Sequence, residues 1–243
     1  MSVMPISPNA PLEDWVKNLQ EVRPAVGDLL AGLGQHPQLA PVAPALARAY
    51  AAIVSSLEQG GTLYLCGNGG SFSDALHISG ELLKAFAIPR PLPEELVGRL
   101  LAQPYGDELV GHLQAGLRAH VLGCNPALTS AVANDIPLQG IGYAQELCAL
   151  ARPGDVLLGI STSGRARNVL LAAATAKAIG LVTIGLTGQA NNPLANLVDI
   201  PLCVPETETF RVQELHIALY HQLCLMIEAH FFASPTATDP TDS

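Results

Sequence analysis

Residues 63–86 read LYLCGNGGSFSDALHISGELLKAF. The apolar run up to Cys66 has the length and aliphatic character of a buried strand. Gly67, Asn68, Gly69, Gly70 and Ser71 then make a turn, and an amphipathic segment follows that carries His77 and Glu81. On a helix those two residues, four apart, share a face. A second strand–loop–helix unit lies at 155–180, where DVLLGIS runs into Gly159–Gly164 (GISTSG) and then into a helical stretch with Gly180 placed as its stop. Further strand candidates are RAHVLGC (118–124), LVTIGLT (181–187) and LVDIPLCV (197–204). Helical patterns cover 11–58, read as two helices, then 126–135, 140–154 and a long final helix over 208–232. Short apolar strands alternating with helices predict an α/β fold, a three-layer sandwich with a parallel sheet covered on both faces.

Composition bounds the rest. The 243 residues suffice for one domain with a sizeable core; 49% are hydrophobic and only 5% aromatic, so that core is mostly aliphatic. Twelve Lys and Arg against 21 Asp and Glu give a net charge of −9, which argues against nucleic acid and against an anionic membrane surface as partners. No apolar run reaches the ~18 residues of a membrane span. The N-terminus MSVMPISPNAPLED has neither a basic nor an apolar signal-peptide region, which points to the cytoplasm. Five scattered cysteines without a CxxC predict reduced, buried thiols. The last stretch, ASPTATDPTDS (233–243), reads as a disordered tail.

In a parallel α/β sheet, ligands bind beyond the carboxyl ends of the strands. That rule gathers CGNGGS and GISTSG into one region, each just before a helix. The first-turn N–H groups of a helix lack internal partners and its dipole favours an anion there. The hydroxyls of Ser71, Ser161, Thr162 and Ser163 add donors. One such loop alone is more simply a capped turn; two on one sheet suit a phosphate ester. No Gly-Lys-Ser/Thr follows, so this is not a Walker A loop, and Phe72 stands where a dinucleotide fingerprint needs its third glycine. On the last helix, Gln213 and His221 lie eight residues apart and can border one cleft, with His216 between them within reach of that side. A lone helical histidine is usually packed or solvated. These residues act together only if the two helices converge.

CGNGGSFSDALHISGEL, VAND, RPGDVLLGISTSG, TIGLTG and VQELHIALYH, in that order, resemble the sugar isomerase (SIS) domain of bacterial phosphoheptose isomerases. The likeness runs over about residues 40–232. It implies a five-stranded parallel sheet with flavodoxin-like winding, an N-terminal helical arm (1–37), a SIS domain (38–232) and the tail (233–243). It implies a homotetramer with sites at subunit interfaces, acting on sedoheptulose 7-phosphate. Carried over by motif, Asn68, Gly69, Gly70, Ser71, Asn134, Asp135, Ser161, Thr162, Ser163 and Gln213 bind substrate. His77, Glu81, Gln213 and His221 match the positions that hold zinc in members with the metal, one ion per subunit; a glutamine is an unusual zinc ligand, so the resemblance alone carries it. The implied reaction is aldose–ketose isomerisation through a cis-enediol. Glu81 is then the base, with partial burial tuning its carboxylate, and His221 the second acid–base group. The glycine turn holds the phosphate and the following helix aims His77 and Glu81 at the far end of the sugar.

Two features depart from the family. Arg165 and Ala166 stand where the second loop usually continues with a small polar pair whose serine binds phosphate, and the segment from about 87 to 118 is longer than in compact members. That segment is expected to lengthen an interface helix or to form a lid. Two other readings keep the same loops: an isomerase of another phosphosugar, and a non-catalytic SIS sensor or scaffold. Retention of Glu81 and His221 favours the enzyme.

Overall fold

The computed structural model describes Ser7 and residues 10–233; the expected tail beyond Ala233 lies outside the described residues. Five parallel strands form one sheet: β1 (Leu63–Cys66), β2 (Ala119–Val121), β3 (Val156–Ser161), β4 (Val182–Thr187) and β5 (Ile200–Cys203), in the order β2-β1-β3-β4-β5. This is the flavodoxin-like winding, and its order reverses between β1 and β3. Leu65 registers with Leu158 and Cys66 with Gly159, so the loops after these two strands emerge side by side.

Alternation along the strands divides the core into two layers. On one face Leu63, Leu65, Leu158, Ile160, Ile184 and Leu202 pack against α3 (Ala43–Glu58), α4 (Gly70–Leu83) and α11 (Thr209–Phe232), with α1 (Leu12–Val22) and α2 (Pro24–Leu33) packed on those helices and completing the same core. On the other, Tyr64, Cys66 and Leu157 pack against α8 (Gly142–Leu150), α9 (Arg167–Ile179) and α10 (Pro193–Leu197). The second face is lined by Ala172, Ala173 and Ala176, small side chains that let α9 lie close to the sheet. Gly180 ends α9 with φ 96°, its N–H returning to the Ala176 and Lys177 carbonyls, as expected of a glycine stop.

The N-terminal expectation needs correction. Residues 11–58 hold three helices and a short 3-10 turn, Ala40–Val42, rather than two helices. Pro24 has no N–H and a fixed φ, so the chain breaks at Arg23 and restarts with the proline at the first helical position. Ala40–Glu58 is the only segment among the described residues long and apolar enough to cross a membrane, and half of it is buried. Leu46, Tyr50, Ile53 and Val54 fill the chain's own core, which accounts for the apolarity of that helix.

The segment after α4 forms two short helices, α5 (Glu94–Leu101) and α6 (Gly106–His112), which pack on each other; no residue of α5 is buried. α7 (Pro126–Asp135) follows β2, capped by the Asn125 side chain. All five cysteines are free. Only Cys66 and Cys224 are buried, while Cys124 and Cys148 are exposed, contrary to the expectation of buried thiols throughout.

Candidate active site

The first loop starts where β1 ends. Gly69 takes φ 54°, a conformation other residues rarely adopt, and a Cβ at Gly67 would overlap the backbone of Ser71, so the turn is as tight as its glycines permit. Asn68 reaches across to the neighbouring unit. Its amide N donates to Asn168 Oδ1 at 2.8 Å, and the Asn168 amide donates back to Asn68 Oδ1 at 2.7 Å. The Tyr143 hydroxyl donates to the Gly67 carbonyl at 2.5 Å and to Asn68 Oδ1 at 3.4 Å. In the second loop Ser161 is buried and Ser163 exposed. Gly164 takes φ 63°, with Asn192 packed where its Cβ would be. Arg165 is solvent-exposed, and its backbone N–H donates to Ser163 Oγ at 3.3 Å.

A cavity of about 740 Å³ opens beside the first loop, between Phe72, Gly123, α7, the start of α8 and Asn168. Asn134 and Asp135 are exposed at the end of α7; Ala133 and Ile136 line the cavity while these two flank it, and Asn134 donates to the Asp135 carboxylate at 2.8 Å.

Further along α4 a second group assembles. α4 and α11 pack with their directions matched: the Gln213 amide lies against Gly70 at the start of α4, and His221 meets His77 and Glu81 near its end. Glu81 is 7% exposed. His77 Nε2 stands 3.1 Å and His221 Nε2 3.2 Å from the same Glu81 oxygen, Oε1. Neither contact has hydrogen-bond geometry, and both carboxylate oxygens of Glu81 lack a hydrogen-bond partner. Ligating atoms of the three residues lie within 4.8 Å of one another. Gln213 sits elsewhere, since eight residues of helix, about 12 Å, separate it from His221.

The other side of His77 is fixed. Its Nδ1 lies 3.0 Å from the Tyr220 hydroxyl, which donates to Asp74 Oδ1 at 3.4 Å. Burial raises the Tyr220 pKa, and the charges of Asp74 and Glu81 raise it further, so the phenol stays protonated. Burial also raises Asp74, against the Tyr220 hydrogen bond and His77. If the Tyr220 proton goes to Asp74, Nδ1 of His77 carries its own proton and the Nε2 atom beside Glu81 has only a lone pair. The His77 ring is half exposed but the Glu81 carboxylate is buried, and two lone pairs about 3 Å apart there repel unless a cation or a proton lies between them. A borderline-soft divalent ion with nitrogen and carboxylate preferences fits this donor set. Cys224, one turn beyond His221, is buried with its thiol held well above its ordinary pKa by burial and then by Glu81.

His216 does not join this group. Its ring is fully buried, and the Thr187 backbone is the polar group set against that burial. Burial pushes its pKa down to about 4, with only a weak opposing pull from the Thr187 backbone. Five residues turn a helix by about 500°, so His216 and His221 face different ways.

Sequence reading missed Tyr143, Asn168, Asp74 and Tyr220. Asn168 lies four residues past Gly164 and Asp74 three before His77, close enough to the motifs to have been considered. Tyr143 and Tyr220 carry no local signal, because their partners come from other elements.

The chain matches the SIS domain family over residues 128–227, and a second SIS domain family over residues 39–108. It is 38% identical over 181 residues to the phosphoheptose isomerase of Crocosphaera subtropica, covering 74% of this chain and 80% of that protein. It is 36% identical over 191 residues to that of Rhodospirillum rubrum, covering 79% and 88%. Among solved structures, the phosphoheptose isomerases of Neisseria gonorrhoeae and Francisella tularensis each superpose with a TM-score of 0.62 at 29% identity, covering 86% and 90% of this chain.

Proposed function

The chain belongs to the SIS-domain family, among its phosphoheptose isomerases, and we infer from this and from the site that it is an aldose–ketose isomerase of phosphorylated sugars. The substrate we propose is sedoheptulose 7-phosphate, converted to D-glycero-D-manno-heptose 7-phosphate. One observation carries the chemistry: a buried carboxylate with no hydrogen bond, facing two imidazole nitrogens at 3.1 and 3.2 Å.

Glu81 removes the proton from the carbon next to the carbonyl. The electron pair moves into a cis-enediol, and the same carboxyl, its proton exchanged with solvent, protonates the neighbouring carbon. His221 takes the proton from one sugar oxygen and delivers it to the other, so no atom is gained or lost. His77 is held by Tyr220 with its Nε2 towards this centre. His77, Glu81 and His221 would hold zinc; Gln213, which family resemblance adds to this set, lies against Gly70 instead, about 12 Å along α11 from His221. Bound there, zinc would supply a Lewis acid able to polarise the substrate carbonyl.

Ser71, Ser161, Thr162 and Ser163 are proposed to take the phosphate, with Asn68, Gly69, Gly70, Asn134, Asp135 and Gln213 along the sugar. The ten residues from Ser71 to Glu81 rise about 15 Å along α4. An extended seven-carbon sugar phosphate, at ~3.6 Å per three bonds, spans about 10 Å. That mismatch supports a composite site, the loops of one subunit facing the His77–Glu81–His221 group of a neighbour in a homotetramer. Leu76 and Leu83 on α4 and Phe210 and Ile217 on α11 leave apolar side chains exposed on the two helices that carry the group, as an interface would. A monomer by light scattering at micromolar concentration would remove this part. We also propose a cytoplasmic location, an N-terminal arm over 1–37, a SIS domain over 38–232 and a tail over 233–243.

The test of function is incubation with C5, C6 and C7 ketose phosphates in deuterated water, with products read by NMR. Aldoheptose phosphate carrying deuterium at C2 is expected. Turnover of a pentose phosphate alone would reassign the substrate, and binding without exchange would make the protein a sensor.

A further inference from the structure

Behind the catalytic face lies a buried ion pair. The Arg90 and Glu228 side chains are both fully shielded from solvent. Arg90 Nε and Nη2 each lie 2.8 Å from Glu228 Oε1. The same guanidinium donates through Nη1 to the Leu82 carbonyl at 2.7 Å and through Nη2 to the Glu81 carbonyl at 2.8 Å. Glu228 also accepts three backbone N–H groups: Phe86 at 2.8 Å, Ala87 at 2.8 Å and Ile88 at 3.1 Å. Arg90 lies 4.8 Å from the centre of the Phe232 ring.

The connections run through the chemistry. α4 ends at Leu83, and the last carbonyls of a helix have no partners of their own. Arg90 takes two of them, that of Glu81 and that of Leu82, which the Leu117 N–H also reaches at 2.9 Å. Glu228 stands on α11 two turns beyond His221, on the stripe that also carries Cys224. One planar fork thus ties the backbone of Glu81 to the helix that presents His221. The three amides on Glu228 fix the 86–88 turn, which sets the Phe86 ring 5.8 Å from His221. Burial would raise the Glu228 carboxyl, but the Phe86 and Ala87 amides and Arg90 outweigh it and hold it below the usual range. Apolar side chains could fill the same volume, often at no loss of stability. They could not take the carbonyls of Glu81 and Leu82. Lysine brings the charge without the fork.

We propose that Arg90 and Glu228 are positioning residues that hold the Glu81 carboxylate in register with His221. The proposal rests on the isomerase reading above. Arg90→Lys keeps the charge and Glu228→Gln the shape. In folded protein, each is expected to lower kcat by about 10- to 100-fold, the scale of a small misplacement of a reacting group. KM should stay unchanged, because the phosphate loops lie at the other end of α4. Arg90→Lys combined with Glu81→Gln should be no slower than Glu81→Gln alone, since the first acts through the second. The imidazole NMR resonances of His77 and His221 should shift in both single variants, a readout that needs no turnover. If they shift while wild type fails to isomerise any sugar phosphate, the functional reading falls and the positioning role stands. Folded variants with wild-type kcat and unmoved resonances would overturn the proposal. So would additive losses in the double variant, or failure of both single variants to fold, which would make the pair purely structural.

Discussion

Replacing Glu81 by glutamine separates catalysis from stability, and the two should move in opposite directions. Both carboxylate oxygens are buried without a well-formed hydrogen bond, beside the His77 and His221 Nε2 atoms and the buried Cys224 thiol. A buried acceptor left unpaired costs about 1–3 kcal/mol, and more when charged. The glutamine amide has the same shape and carries no charge, so burying it costs less than burying the carboxylate. In chelator-treated protein the variant is therefore expected to be more stable by about 1–3 kcal/mol. For a chain of this size each kcal/mol moves the melting temperature by roughly 2–4 °C. Loss of the base should slow turnover by about 100-fold or more, or about 2.7 kcal/mol of barrier. Deuterium incorporation followed by NMR measures the second effect and calorimetric melting the first. Zinc should reverse the stability order, since only wild type retains the third donor. A variant that exchanges solvent deuterium at the wild-type rate would refute Glu81 as the base. A variant that melts below wild type in chelator would refute the unpaired carboxylate.

Three further outcomes are expected. Ser71→Ala or Ser163→Ala should weaken sugar-phosphate binding by about 1–3 kcal/mol each, the range for hydrogen bonds to a charged group, and unchanged calorimetric affinity in both would leave the loops as structural turns. Wild type should take up about one zinc per subunit, as a three- or four-donor site holds a single ion, and His77→Ala should lose it while staying folded; equal uptake by both proteins excludes the site. His216 gives a signed pH effect: its folded pKa of about 4 lies below the ordinary 6.5, so its contribution is complete above pH 6.5 and is lost as pH falls towards 4. At about 1.4 kcal/mol per pH unit, wild type should lose ~2 kcal/mol between pH 7 and 5 that His216→Leu does not, and equal shifts in the urea midpoints of the two proteins would contradict the buried neutral ring.

The strand–loop–helix units were legible because their signals are local. An apolar run must stop where backbone groups need new partners, Gly69 and Gly164 supply positive φ, and Gly180 ends its helix the same way. Spacing also placed His77 and Glu81 on one face. The break at Pro24 was written just as plainly, yet the continuing apolar pattern hid it. What the sequence left open was convergence. His216 and His221 read as equivalents, and packing sends one ring into the core and the other to Glu81. The Asp74–Tyr220–His77 chain spans 146 residues and the Arg90–Glu228 pair 138. No periodicity links such partners. They meet because α4 and α11 pack along the same face of the sheet with matched directions, and only that packing decides which nitrogen faces the carboxylate and which carbonyls the guanidinium can reach.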